Sequence, residues 1–84
     1  MKKVIIYTTS VCPYCVRAKS LLKRKNVEYQ EMNVENDETL RNEMIDKAGG
    51  LRTVPQIFVD DYHVGGCDDL YDLDSQGKLD ELIS

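Results

Sequence analysis

Hydrophobic positions fall into short blocks along the chain, and their spacing changes from block to block. Lys3-Val4-Ile5-Ile6-Tyr7-Thr8 is a β-branched run without alternation, which predicts a strand covered on both faces and central in its sheet. From Pro13 to Lys25 the apolar residues Cys15, Ala18, Leu21 and Leu22 recur at helical spacing. Lys23-Arg24-Lys25 then sit where cations complement the negative end of the helix dipole, so a helix should end near Asn26. Val27 to Asn33 alternates in part and predicts a second strand, completing a right-handed parallel strand-helix-strand unit.

Asp37 through Ala48 carries Leu40, Met44 and Ile45 at helical spacing, with Gly49-Gly50 as stop signals. Gln56-Ile57-Phe58-Val59 and Tyr62-His63-Val64, separated only by Asp60-Asp61, predict a hairpin closed by Gly65-Gly66. Helical turns over Asp68 to Asp74 and Lys78 to Ile83, broken around Ser75-Gln76-Gly77, would turn Leu70, Leu73, Leu79 and Leu82 inward. The order is β-α-β-α-β-β-α. It predicts an α/β protein with a mixed four-stranded sheet and helices on both faces, in one domain over residues 1–84, and it resembles the thioredoxin fold.

Composition narrows the function classes. Eighty-four residues allow one modest core, and 42% hydrophobic with 31% charged residues is ordinary for a globular protein. A net charge of −4 argues against nucleic acid or an anionic membrane surface as a partner. The apolar run after Met1-Lys2-Lys3 stops at Thr8, too short for an export signal, so the expected location is the cytoplasm. The expected state is a monomer. There, thiols are kept reduced and disulfides are transient or catalytic. Three cysteines, an odd number, also fit poorly with a stapled scaffold.

Cys12-Pro13-Tyr14-Cys15 lies at the predicted strand-to-helix turn. Pro13 suits the first helical position, where its missing N–H would be unpaired anyway, and this makes Cys12 the N-cap. A cap side chain meets the free N–H groups of the first turn, those of Tyr14 and Cys15, at the positive end of the dipole. A thiolate is stabilised there, so Cys12 is the expected nucleophile. Cys15, one turn along, is the expected resolving thiol.

Two further segments stand out. In Arg52-Thr53-Val54-Pro55 the proline removes a backbone donor where a ladder would begin, and propensity alone predicts a trans peptide bond. In Gly65-Gly66-Cys67-Asp68-Asp69 two flexible residues precede a helix whose free N–H groups suit a carboxylate, and Asp68 suits an ammonium.

Together, Cys12-Pro13-Tyr14-Cys15, Thr53-Val54-Pro55 and Gly65-Gly66-Cys67-Asp68-Asp69, in this order, resemble the glutaredoxin family, most of all its short bacterial dithiol members. The resemblance covers nearly the whole chain and is supported by Arg17-Ala18-Lys19 and Val54-Pro55-Gln56-Ile57-Phe58. It implies a glutathione-dependent oxidoreductase that reduces protein-glutathione mixed disulfides and protein disulfides, contributing to cell redox homeostasis, with glutathione as co-substrate and no tightly bound cofactor or metal. It implies a glutathione groove running from Cys12 past Tyr14 and Thr53-Val54-Pro55 to Gly66, Cys67 and Asp68. It also implies a cis bond at Pro55, with the Val54 backbone turned toward the cysteinyl part of glutathione and Cys67 and Asp68 at its γ-glutamyl end. One departure is Thr9, where similar proteins usually carry a lysine; Arg52 or Lys19 are the candidate replacements.

Three other readings compete. Cys12, Cys15, His63 and Cys67 have the count of a Cys3His zinc site, although Pro13 at a helix start favours redox chemistry. A thioredoxin-type reductase served by a flavoenzyme would share the fold, but Tyr14, the Thr53-Val54-Pro55 turn and the glycine pair favour glutathione. An iron-sulfur carrier using Cys12 and glutathione across a dimer, as in some glutaredoxins, ranks low because of the dithiol Pro-Tyr motif.

Overall fold

The computed structural model describes residues 2–84; Met1 lies outside the described residues. The elements are β1 (Val4–Thr8), α1 (Pro13–Arg24), β2 (Gln30–Asn33), α2 (Glu38–Lys47), β3 (Gln56–Val59), β4 (Tyr62–Gly65), α3 (Cys67–Ser75) and α4 (Lys78–Ile83). The strands form one sheet in the order β2-β1-β3-β4. β1 runs parallel to β2 and antiparallel to β3, and β3 is antiparallel to β4, so β1 is central as its apolar run predicts.

Strand alternation divides the core in two. Val4 and Ile6 of β1 with Ile57 and Val59 of β3 face Ala18, Leu21 and Leu22 of α1, Leu70 of α3, and Leu79 and Ile83 of α4. Tyr7 and Phe58 face the other way and pack with Val34, Met44 and Ala48, on the side of α2. Tyr7 and Phe58 meet edge to face with ring centroids 5.7 Å apart. Burial, with a hydrogen bond to Glu43, pushes the Tyr7 phenol up to about 12. Helices thus cover both faces, and among the described residues none is long and apolar enough to cross a membrane.

One boundary differs from the sequence-based expectation. The second strand begins at Gln30 rather than Val27. Asn26 turns into the left-handed region at φ 58, and the Val27 N–H closes α1 by donating to the Leu22 carbonyl at 2.9 Å, so ladder pairing starts three residues later. The break expected around Ser75-Gln76-Gly77 is present: α3 and α4 part where Gly77 adopts φ +71, so the last α of the predicted order is two helices. Lys25 holds this end together: its ammonium lies 2.7 Å from Asp74 and 3.2 Å from Asp80, and those bonds raise its pKa. Most of this tie is solvated and contributes little stability.

Candidate active site

β1 ends at Thr8, and the loop from Thr9 to Val11 delivers the chain to α1. That loop is fixed from the β2 side. The Thr8 hydroxyl donates to Glu31 at 2.7 Å, the Ser10 N–H donates to Glu35 at 3.2 Å, and the Asn33 amide donates to the Ser10 hydroxyl at 3.3 Å. Cys12 then takes the N-cap of α1 with extended backbone, and Pro13 occupies the first turn. Its sulfur accepts the Cys15 N–H at 3.0 Å, the bond expected of a capping side chain. No acidic residue stands in this first turn to compete for the dipole.

Cys12 and Cys15 are joined as a disulfide with their Cα atoms 5.2 Å apart, as the one-turn spacing requires. Their surroundings differ sharply. Cys12 is half-buried, whereas Cys15 is 0% exposed. A thiol arriving from solvent therefore reaches Cys12 and not Cys15. Val54, in the loop before β3, approaches the pair, its carbonyl oxygen 4.0 Å from the Cys12 sulfur. In the disulfide that sulfur carries no proton, so this is an approach rather than a hydrogen bond.

The Val54–Pro55 bond is cis, against the expectation from propensity and in line with the family resemblance. Tyr14, Thr53, Val54, Pro55, Gly66, Cys67 and Asp68 line one shallow cleft of about 200 Å³, together with Asp69. The residues picked out from three separate stretches of sequence are thus brought to one place. A larger hollow of about 310 Å³ lies at the opposite end of β1, between Lys2-Lys3-Val4 and Glu28-Tyr29-Gln30, and is lined by no cysteine.

Asp69, to which the sequence motif assigns no role, has a defined task. Its carboxylate accepts the Gly66 N–H at 2.9 Å and closes the start of α3. Gly66 has no side chain to cap the first-turn N–H groups, and the residues of that turn, Cys67, Asp68 and Asp69, line the cleft. Gly65 must be glycine here: its φ is +114, and a Cβ would collide with the Asp69 carboxylate. The signal was an acid at the third helical position after a glycine pair.

Cys67 lies at the first position of α3 and is 4% exposed. Burial pushes its thiol pKa up, reinforced by Asp68 and opposed by Arg17. Arg17 projects from α1 with its guanidinium 5.9 Å from the Tyr14 ring centroid and 5.6 Å from that of Tyr71.

Lys19 does not replace the cation absent at Thr9. Its ammonium is 3.0 Å from the same Glu31 oxygen that Thr8 binds. The Thr8 hydroxyl, then Lys19, hold the Glu31 carboxyl below its usual range. Arg52 is exposed in the loop before Thr53. His63 does not join the cysteines as a fourth ligand: its Nε2 lies 2.7 Å from Gln56 Oε1, and its ring stacks on Phe58 with centroids 4.8 Å apart. Among the described residues no group of three or more His, Cys, Asp or Glu side chains is placed to hold a metal.

Comparison with known proteins agrees with this geometry. The glutaredoxin family model matches residues 4–64. The chain is 55% identical to a glutaredoxin from Pseudomonas aeruginosa over 84 residues, covering 100% of this chain and 99% of that one. The solution structure of a glutaredoxin from Brucella melitensis superposes with a TM-score of 0.86 at 53% identity, covering 99% of this chain and 89% of that one. A buckwheat glutaredoxin-glutathione complex superposes with a TM-score of 0.87 at 26% identity, covering 98% of this chain and 76% of that one. With the Cys12/Cys15 pair joined at a helix start, the chain belongs to the glutaredoxin family and is a thiol-disulfide oxidoreductase.

Proposed function

We propose that the protein uses glutathione as its electron donor and removes glutathione from modified proteins as well as reducing protein disulfides. The observation that carries this reading is the unequal exposure of the two cysteines beside one cleft: Cys12 is open to attack, Cys15 is fully covered, and the cleft runs from Tyr14 to the start of α3.

In the first half-reaction the Cys12 thiolate attacks the glutathione sulfur of a protein mixed disulfide. The protein leaves as a thiolate, and Cys12 is left bonded to glutathione. A second glutathione thiolate attacks the sulfur of that bound glutathione, oxidised glutathione leaves, and Cys12 is restored. With a protein disulfide, Cys12 forms the mixed disulfide and Cys15 then attacks the Cys12 sulfur, releasing the client as a dithiol. The resulting Cys12-Cys15 bridge is reduced by two glutathione molecules in turn.

Bound glutathione would lie along Thr53, Val54 and Pro55, with its γ-glutamyl carboxylate at the uncapped N–H groups of α3 and its ammonium at exposed Asp68. The buckwheat protein of similar fold is a glutathione complex, which supports this choice of donor. The proposed unit is a monomer. A pool of reduced glutathione, as in the cytoplasm, is the setting the cycle needs.

The test offers each donor separately to the purified protein with a glutathionylated peptide and a protein disulfide. Turnover with glutathione and glutathione reductase is expected. Activity only with thioredoxin reductase would reject the glutathione reading. Cys15→Ser should keep deglutathionylation and lose reduction of protein disulfides.

A further inference from the structure

Gln56 is a polar residue where the sequence pattern calls for an apolar one. It opens β3, pairs with Tyr7 across the ladder, and is 2% exposed. A buried amide needs partners at both ends, and here it has them. Its Nε2 donates to the Thr53 carbonyl at 3.0 Å and to the Thr53 hydroxyl at 3.2 Å, while its Oε1 faces His63 Nε2 at 2.7 Å. The Thr53 carbonyl can only accept, which fixes the orientation of the amide and requires a proton on His63 Nε2.

His63 reaches this position through the hairpin's irregularity. Ile57 pairs with Gly65 but Phe58 pairs with His63, so Val64 is the extra residue of a bulge. The bulge sets His63 beside Phe58, and ring stacking holds the imidazole plane. Thr53, at the other end of the relay, lines the cleft next to Val54 and Pro55.

We propose that His63 is a positioning residue for glutathione: acting through Gln56, it holds the Thr53-Val54-Pro55 turn in the shape that receives the peptide. His63 touches neither cysteine nor cleft, and its effect passes through two hydrogen-bonded contacts. The inference rests on the glutathione reading above. It differs from a general packing effect because it assigns the contribution to one N–H, which can be removed while the ring stays.

His63→Phe keeps an aromatic ring on Phe58 and deletes the donor. Its apparent KM for glutathione should rise about 2- to 10-fold, the range expected for one net hydrogen bond, with kcat at saturating glutathione within about twofold of wild type. His63→Gln restores an N–H donor and should recover most of the lost affinity. Gln56→Glu keeps the acceptor for His63 but has no N–H to offer Thr53, so it should raise KM as His63→Phe does, and it stands in if the phenylalanine variant does not fold. An unchanged KM in either folded variant, or a fall in kcat with KM unmoved, would overturn the assignment. So would failure of His63→Gln to improve on His63→Phe. Wild-type protein that dithiothreitol reduces but glutathione does not would instead remove the underlying glutathione reading, so the two failures are distinguishable.

Discussion

Two helices of this protein start with a cysteine, and the two starts have opposite chemistry. At α1 the cysteine is the N-cap itself, half-buried, with its sulfur receiving a first-turn N–H at 3.0 Å. At α3 the cysteine is one position further in, 4% exposed, with its thiol pKa pushed up by burial. A cap residue has non-helical backbone, and its side chain turns toward the free N–H groups. The first helical residue follows the helix, and here its side chain joins the core of α1, α3 and the sheet. A shift of one residue thus separates a nucleophile from a filler. At α3 the N–H groups that Cys67 does not use remain for a ligand.

The largest test of this contrast is Cys12→Ser, which should lower turnover by at least about a thousandfold, as loss of a nucleophile does elsewhere; rates of coupled glutathione oxidation would show it. Next in size is thiol accessibility in the reduced protein. Cys67 should resist a bulky disulfide reagent until denaturant is added, whereas Cys12 reacts at once; a Cys67 that reacts as fast as Cys12 in the native state would erase the distinction. The third concerns the helix that lacks its own cap. Asp69→Ala removes the carboxylate that closes the start of α3 and should cost about 1 kcal/mol, read as a fall in melting temperature of roughly 4–8 °C for a domain of this size.

The smallest effect is in pH. Because the Cys67 pKa is raised, the folded state holds that proton more tightly than the unfolded chain does. Its contribution to stability is complete below the ordinary thiol value and fades as pH rises through the higher folded one. Denaturation midpoints should therefore decline at alkaline pH less steeply in Cys67→Ala than in the parent.

The sequence made α1 and its cysteine legible because the determinants are local. Pro13 beside Cys12, helical spacing from Cys15 to Leu22, and a β-branched strand before them specify a capped helix without tertiary information. The Thr53-Val54-Pro55 turn was less legible. Propensity favours a trans bond, and only resemblance to a family pointed to the cis bond observed. The Gln56-His63 contact was not legible at all, because it depends on a bulge that re-registers β4 against β3. Lys19 could be placed near the active-site helix from sequence, but not that Glu31, on a strand reached after the turn at Asn26, would engage it. Charges find partners through tertiary proximity, and the pattern of one strand does not reveal them.

The central claim is that the cap position, rather than cysteine content, makes Cys12 the reacting thiol. Alkylation of the fully reduced protein across pH, with each site followed by mass spectrometry, tests it most directly. The account predicts that Cys12 is labelled first, with a rate that titrates well below the ordinary thiol pKa of about 8.5, while Cys15 and Cys67 stay unlabelled near neutral pH. Labelling of Cys15 or Cys67 ahead of Cys12, or a Cys12 rate that titrates at or above the ordinary value, would contradict it.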